Sequence, residues 1–398
     1  MFPSLDMVLA LVALTCFGLV IYSYLIYPLL LLGLAGFAQV WVDAGYVRNR
    51  RDRRRGSSGD LPSVGVVVSA FNEESHIGKR IENLLRLAYP ADRLRVYVGS
   101  DGSSDGTAAI IRSFADARVR CSAFPENRGK ASVLNDLVAQ VEESLVVFSD
   151  ANSNFEPGAL LALVAPFSDP SVGCVSGELR LEKAAGDNQD SLYWRFEQFL
   201  KICEGRIGGL LGANGAIYAI RRCLWQPLRS DTVCDDFTVA MSVSAAGHRL
   251  VYKPDAVARE MAPSGIGEEY RRRVRIGIGN FQAMVRHPEY LFGTNGIVAF
   301  TYLSHKVLRW TAPHLLLVSA SASALLALES PAWLVFTIFQ LGCYGLAGAA
   351  FMIGERAGRL PAPLRVPAFL FALNWAFLVA SAKFAAGRYR AGWERSER

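Results

Sequence analysis

The chain has 398 residues, 52% of them hydrophobic and only 20% charged, with a net charge of +6 at pH 7. That length holds one large domain plus accessories, and the composition is too apolar for an ordinary soluble protein. Seven scattered cysteines, an odd number with no CxxC pair, exclude a disulfide framework and a zinc site and fit core thiols in a reducing compartment.

The apolar excess is local. Residues 7–42 contain no charged side chain, which predicts an N-terminal transmembrane helix (residues 1–47), tilted and kinked at Pro28. A signal peptide is a poorer reading, because the basic cluster follows the apolar run instead of preceding it. That cluster, Arg48, Arg50, Arg51, Arg53, Arg54 and Arg55, lies in a basic linker, residues 48–60. Its place beside a span marks the cytoplasmic side of a bilayer and no nucleic-acid partner.

Residues 61–257 have globular composition. The run Leu61-Pro-Ser-Val-Gly-Val-Val-Val-Ser-Ala-Phe71 reads as a strand ending in Asn72-Glu73-Glu74, and Ile77, Ile81, Leu84 and Leu85 follow at helical spacing. A second strand, residues 94–100, ends in Asp101-Gly-Ser-Ser-Asp-Gly106 before a helix to about Phe114. A third, residues 119–123, leads to Asn127-Arg-Gly-Lys130 and another helix. The fourth is Leu145-Val-Val-Phe-Ser149, ending in Asp150-Ala-Asn152. Alternation of this kind predicts an α/β fold with a parallel sheet and helices on both faces.

Ligands of such sheets sit beyond the carboxyl ends of the strands, where Glu73, Asp101 and Asp150 all occur. Three acids converging there repel one another unless a cation or a hydroxyl-rich ligand joins them. In an extended segment Asp150 and Asn152 point to one side, a pair of oxygen ligands suited to Mg or Mn; a strand cap with an Asx-turn reads the same residues equally well. Gly129-Lys130-Ala-Ser132 lacks the upstream glycine of a phosphate loop, and Gly99, Gly102 and Gly106 have the wrong spacing for a dinucleotide fingerprint.

Beyond Pro157, residues 172–181 read as a strand. Leu192, Tyr193, Phe196, Phe199, Leu200 and Cys203 mark one face of a helix, and Gly212-Ala-Asn214-Gly215 introduces a strand at 216–220. Asp235-Asp236 opens a helix at 237–246, where acids also suit the helix dipole. Residues 258–309 read as interfacial helices, the first bearing Arg271, Arg272, Arg273 and Arg275, whose guanidiniums suit a membrane surface or a diphosphate. Residues 310–328, 332–353 and 366–384 are each about one span long, placing about three transmembrane helices in 310–384. Three spans would put the basic tail, residues 385–398, outside; either the charge rule breaks there or one segment lies in the interface.

These motifs resemble family 2 glycosyltransferases, in their membrane-integrated branch of cellulose-, chitin- and hyaluronan-synthase-like enzymes. Val-Ser-Ala-Phe-Asn-Glu-Glu (68–74) is similar to the first-strand signature and Ser100-Asp-Gly-Ser-Ser-Asp-Gly-Thr107 to the second. Asn127-Arg-Gly-Lys130 resembles an N-x-G-K segment, Ser149-Asp-Ala-Asn152 stands at the D-x-D site, and Asp235-Asp236 stands at the E-D site. The resemblance implies a GT-A fold and inverting transfer from a nucleotide-diphosphate sugar, with a UDP-sugar foremost, to a saccharide acceptor in polysaccharide synthesis. It implies Asn72, Glu73, Asp101, Lys130, Arg272 and Arg275 on the donor, and Asp150 and Asn152 on a divalent cation. Asp235 and Asn214 belong to the acceptor motif, and Asp236 is the catalytic base. It also places the enzyme in a bacterial-type inner or plasma membrane, with the catalytic domain cytoplasmic.

The departures are Asn152 for a second carboxylate, Asp235 for glutamate, and Arg272-Arg273-Val274-Arg275-Ile276 where polymerising members have Q-x-x-R-W. The missing tryptophan leaves glycosylation of a lipid acceptor open, and a degenerate, non-catalytic nucleotide-binding membrane protein as a third reading.

Overall fold

The computed structural model describes residues 4–49, 60–182, 191–261, 266–293, 295–357 and 361–389. The arginines from Arg50 to Arg55 and the end of the basic tail from Arg390 onward lie outside them. Contacts group the chain into two compact units, one of Met1–Leu32, Gly265–Val285 and Tyr302–Tyr389, the other built on Gly33–Ser264 and Arg286–Thr301.

The second unit carries an eight-stranded sheet: β1 (Val64–Ala70), β2 (Leu94–Asp101), β3 (Val119–Phe124), β4 (Leu145–Asp150), β5 (Asn154–Phe155), β6 (Val172–Glu182), β7 (Tyr218–Arg221) and β8 (Arg249–Met261). Their order is β3-β2-β1-β4-β7-β6-β8-β5. Strands β1 to β4 are parallel, as the alternation predicts. Strand β7 then pairs antiparallel with both β4 and β6, so the sheet is mixed. The reason is local: Ile217 N–H bonds to the Asn214 carbonyl at 2.9 Å, turning the chain at the edge where β4 ends. For the same reason β7 starts at Tyr218, two residues later than the apolar run suggests.

Side-chain alternation assigns the two faces. Val66, Val68, Val96, Val98 and Val147 face the layer of Ile77, Ile81, Leu84, Leu160 and Leu163. Val67, Val146, Phe148 and Tyr218 face the layer of Leu134, Leu137, Val138, Val239 and Val243, from helices Lys130–Gln140 and Asp235–Ala245. Asp150 shares the parity of Phe148. It therefore points toward the helices that begin at Lys130 and Asp235, while Ser149 points to the opposite layer.

The N-terminal segment is helical from Leu5, with a π-helical stretch Tyr22–Ile26 ahead of Tyr27–Asn49. This stretch lies just ahead of Pro28. Proline gives no N–H to the carbonyl four residues back, and the wider i→i−5 turn accommodates its ring. Three described helices are long and apolar enough to cross a membrane: Leu5–Arg48, Pro331–Ile353 and Pro363–Ala385. Helix Leu308–Leu326, over the residues read above as a further span, is not among these three, and it buries several of its polar groups against neighbouring helices. Ser319 donates to the Ala13 carbonyl at 2.9 Å, and Ser323 accepts from Thr337 at 3.0 Å and from Gln340 at 3.2 Å. Interhelical hydrogen bonds of this sort hold helices where no hydrophobic force does.

Candidate active site

The carboxyl ends of β2, β1 and β4 lie side by side, and each delivers an acid to one edge of the sheet. Two different constructions meet there.

The first laces the loops after β1 and β2 together. Asn72 adopts a left-handed backbone, φ 55°, which asparagine tolerates better than most residues. Its Oδ1 accepts from Ser104 N at 2.9 Å, and its own N–H donates to Ser103 Oγ at 3.1 Å. Glu73 N–H donates to Thr107 Oγ1 at 2.8 Å, and the Glu73 carboxylate meets His76 Nδ1 at 3.1 Å. Asp101 is fully buried and accepts from Arg128 N at 2.9 Å and Gly129 N at 2.8 Å. Both Asp101 oxygens thus fasten the loop that opens the Lys130 helix. Gly102 makes this approach possible: its φ is +64°, and a Cβ there would come within 2.4 Å of the Glu126 backbone.

The second construction is charged. Lys130 Nζ lies 2.9 Å from Asp150 Oδ1 and 3.2 Å from Asp235 Oδ2. Burial pulls the Lys130 pKa down, but Asp150, Asp235 and Asp236 outweigh it, and the ammonium is held above its ordinary range. Burial, helped by the charge of Asp235, pushes Asp236 up to about 6, against the pull of Lys130. Asp236 Oδ1 also accepts from the Phe237 amide at 2.7 Å. Gly215 lies against this carboxylate, where a Cβ would stand 3.0 Å from Asp236 Oδ2. The structure therefore brings Lys130, Asp150, Asp235 and Asp236 into one cluster.

Other expected residues are placed differently. The β4 strand ends at Asp150, so Asn152 sits in the following turn and the two-residue alternation does not reach it. Its Nδ2 donates to Glu260 Oε1 on β8 at 2.7 Å, which directs the amide and leaves its oxygen as an acceptor. Asn214 binds the Gly177 carbonyl and accepts from Lys201 Nζ at 2.6 Å, fixing the loop ahead of β7. Arg272 and Arg275 lie on helix Ile266–Arg286; both belong to the first unit, where Arg272 is half-buried and Arg275 exposed.

Among the described residues, no three His, Cys, Asp or Glu side chains converge tightly enough to hold a metal ion by themselves. This donor set suits a Mg-like ion taken through one or two protein oxygens and shared with substrate phosphates, not an all-protein cage.

Sequence reasoning missed two buried groups at this edge. Tyr218 is fully buried, stacks on Phe148 with ring centroids 4.6 Å apart, and has a hydroxyl without a hydrogen-bond partner among the described residues. Arg80 is 1% exposed and bonds Ser149. Its position was legible, since it shares the buried face of Ile77, Ile81 and Leu84 at i+3.

The model of a family described as "Glycosyltransferase like family 2" matches residues 62–279, more than half of the chain. The chain is 28% identical over 253 residues to a probable glycosyltransferase of Bacillus subtilis, across 58% of this chain and 59% of that protein. It is 24% identical over 238 residues to the poly-β-1,6-N-acetyl-D-glucosamine synthase of Staphylococcus aureus, across 57% of each. The matches thus span less than two thirds of those relatives' own length. Among solved structures, a mannosyltransferase from Pyrobaculum calidifontis, in complex with GDP-Man and Mn2+, superposes with a TM-score of 0.65 at 22% identity, covering 97% of this chain and 100% of that one. That likeness carries the fold.

Proposed function

The chain belongs to glycosyltransferase family 2 and has a GT-A fold, and on that premise we propose that it is a membrane-bound inverting enzyme. It transfers a sugar from a nucleotide-diphosphate sugar, a UDP-sugar foremost, to a saccharide acceptor in polysaccharide synthesis. The observation that carries the reading is the cluster itself: a lysine between Asp150 and Asp235, with Asp236 beside it and pushed up to about 6. A base near the operating pH is what proton abstraction needs.

Asp236 takes the proton of the acceptor hydroxyl as that oxygen attacks the anomeric carbon from the face opposite the diphosphate. A single displacement inverts the configuration. Lys130 balances the charge of the leaving diphosphate. Asp150 and the amide oxygen of Asn152 would hold a divalent cation, Mg or Mn, which when bound would supply charge stabilisation to the departing diphosphate. Glu73 and Asn72 line the nucleoside side, and Asp101 acts there through the loop it fastens. Asp235 and Asn214 shape the acceptor side. The apolar helices anchor the enzyme in a bilayer, with the arginine-rich side and the catalytic unit in the cytoplasm.

The relative named for poly-β-1,6-N-acetyl-D-glucosamine synthesis supports a saccharide product. A lipid acceptor is the second reading, favoured by Ile276 where polymerising members present tryptophan, since isoleucine offers a sugar no aromatic face. The test is nucleotide release from a panel of uridine- and guanosine-diphosphate sugars by the purified protein in detergent. Release that is abolished in Asp236→Asn supports transfer; equal release by both proteins removes Asp236 from its role. Radiolabelled sugar in long, water-soluble products supports the saccharide acceptor, and label in short organic-extractable products supports the lipid.

A further inference from the structure

The Arg80 guanidinium is enclosed by the core yet spends itself on the segment that carries Asp150. Nη2 donates to Ser149 Oγ at 2.6 Å and Nη1 to Asn83 Oδ1 at 2.5 Å, while the guanidinium carbon lies 4.2 Å from the centre of the Phe155 ring. Nε has no hydrogen-bond partner among the described residues. Enclosing a cation costs several kcal/mol even after relaxation, and an aliphatic side chain would fill this face of the helix at no such cost. The arginine therefore needs a reason other than packing.

Its partners supply one. Asn83, gripped by Arg80, accepts from Phe155 N at 2.9 Å and donates to the Phe155 carbonyl at 2.9 Å. Ser149 immediately precedes Asp150, so residues 150–154 are suspended between two anchors that both lead to Arg80. Ser149 Oγ also donates to the Ala216 carbonyl at 3.0 Å. That ties the end of β4 to the residue after Gly215, which abuts Asp236.

We propose that Arg80 is a positioning residue of the transfer reaction, fixing the turn that presents Asp150 and Asn152 to the diphosphate-bound cation by holding Ser149 on one side and Asn83 on the other. The inference rests on the reading of Asp150 as the cation-holding carboxylate. Outer groups that orient a metal-binding side chain change metal affinity by about 10–100-fold when removed.

The test is Mn2+ titration of the full chain in detergent with uridine diphosphate, repeated with guanosine diphosphate, reading free Mn2+ by electron paramagnetic resonance; melting is followed in parallel. Arg80→Met is expected to raise the half-saturating Mn2+ concentration about 10–100-fold. Arg80→Lys, which keeps the charge and loses the planar fork, is expected to shift it in the same direction. Ser149→Ala keeps Arg80 and severs one anchor, for a several-fold shift. If Arg80→Met does not fold, the other two variants carry the decision. Wild-type titrations in the folded variants overturn the proposal while Asp150→Ala still loses Mn2+ binding. If Asp150→Ala itself titrates like the wild type, the reading of Asp150 falls and the proposal falls with it.

Discussion

Asp101 and Asp150 end strands that flank β1 on either side, yet their carboxylates are met in opposite ways. Asp101 is fully buried, with one oxygen on each of two backbone N–H groups. The Asp150 side chain is 31% exposed and faces an ammonium shared with Asp235. Backbone donors are fixed in direction and do not leave, so Asp101 behaves as part of the frame. A lysine on a flexible stem can be exchanged for another cation, which fits the proposed role of Asp150. One edge of one sheet thus carries both a clamp and a replaceable ion pair.

The comparison can be broken from the reactive side first. Asp236→Asn is expected to lower turnover by about 10²–10⁴-fold, the usual contribution of a positioned base, with nucleotide-sugar affinity nearly unchanged in a binding titration. Lys130→Met leaves facing carboxylates without their counter-ion; loss of one partner of such a pair costs about 3–5 kcal/mol. A lowered denaturation midpoint and weaker nucleotide-diphosphate binding are both expected. A variant as stable as the parent would mean the ammonium is not the counter-ion of the cluster.

Two smaller effects follow from protonation and from the clamp. Because Asp236 is pushed up to about 6, the folded protein holds a proton there between roughly pH 4 and 6 that the unfolded chain releases. Stability from this group is therefore present below pH 4 and lost as pH rises through 6, and the transfer rate falls as pH drops below about 6. Asp236→Asn should flatten that pH dependence and raise the unfolding free energy at pH 7 by about 1–3 kcal/mol; a variant melting below the parent at pH 7 would contradict the raised pKa. Asn72→Gly keeps the left-handed backbone and loses one carbonyl acceptor, for a cost of about 0.5–1.5 kcal/mol in chemical denaturation.

Much of the fold was legible because burial leaves periodic traces. The β-branched runs of β1, β2 and β4 and the 3.6-residue spacing after Glu73 follow from which faces are enclosed. The reversal of β7 was not legible, because a run of apolar residues has no sense of direction; the turn at Asn214 supplies it. Pairing Asn152 with Asp150 by alternation presumes an extended backbone, and the strand stops two residues short of Asn152. Arg80 sits on a buried helical face, but no local pattern says what a lone arginine will reach.

The amino-acid order alone determined the strand–helix alternation, the acids at strand ends and the apolar N-terminal helix, because each depends on neighbours a few residues apart. Only the tertiary structure decided which carboxylates share an ammonium and which bind backbone, and that Asp236 is lifted toward neutrality. Those outcomes depend on distances between residues up to about a hundred positions apart, and on how much water the packed faces exclude from between them.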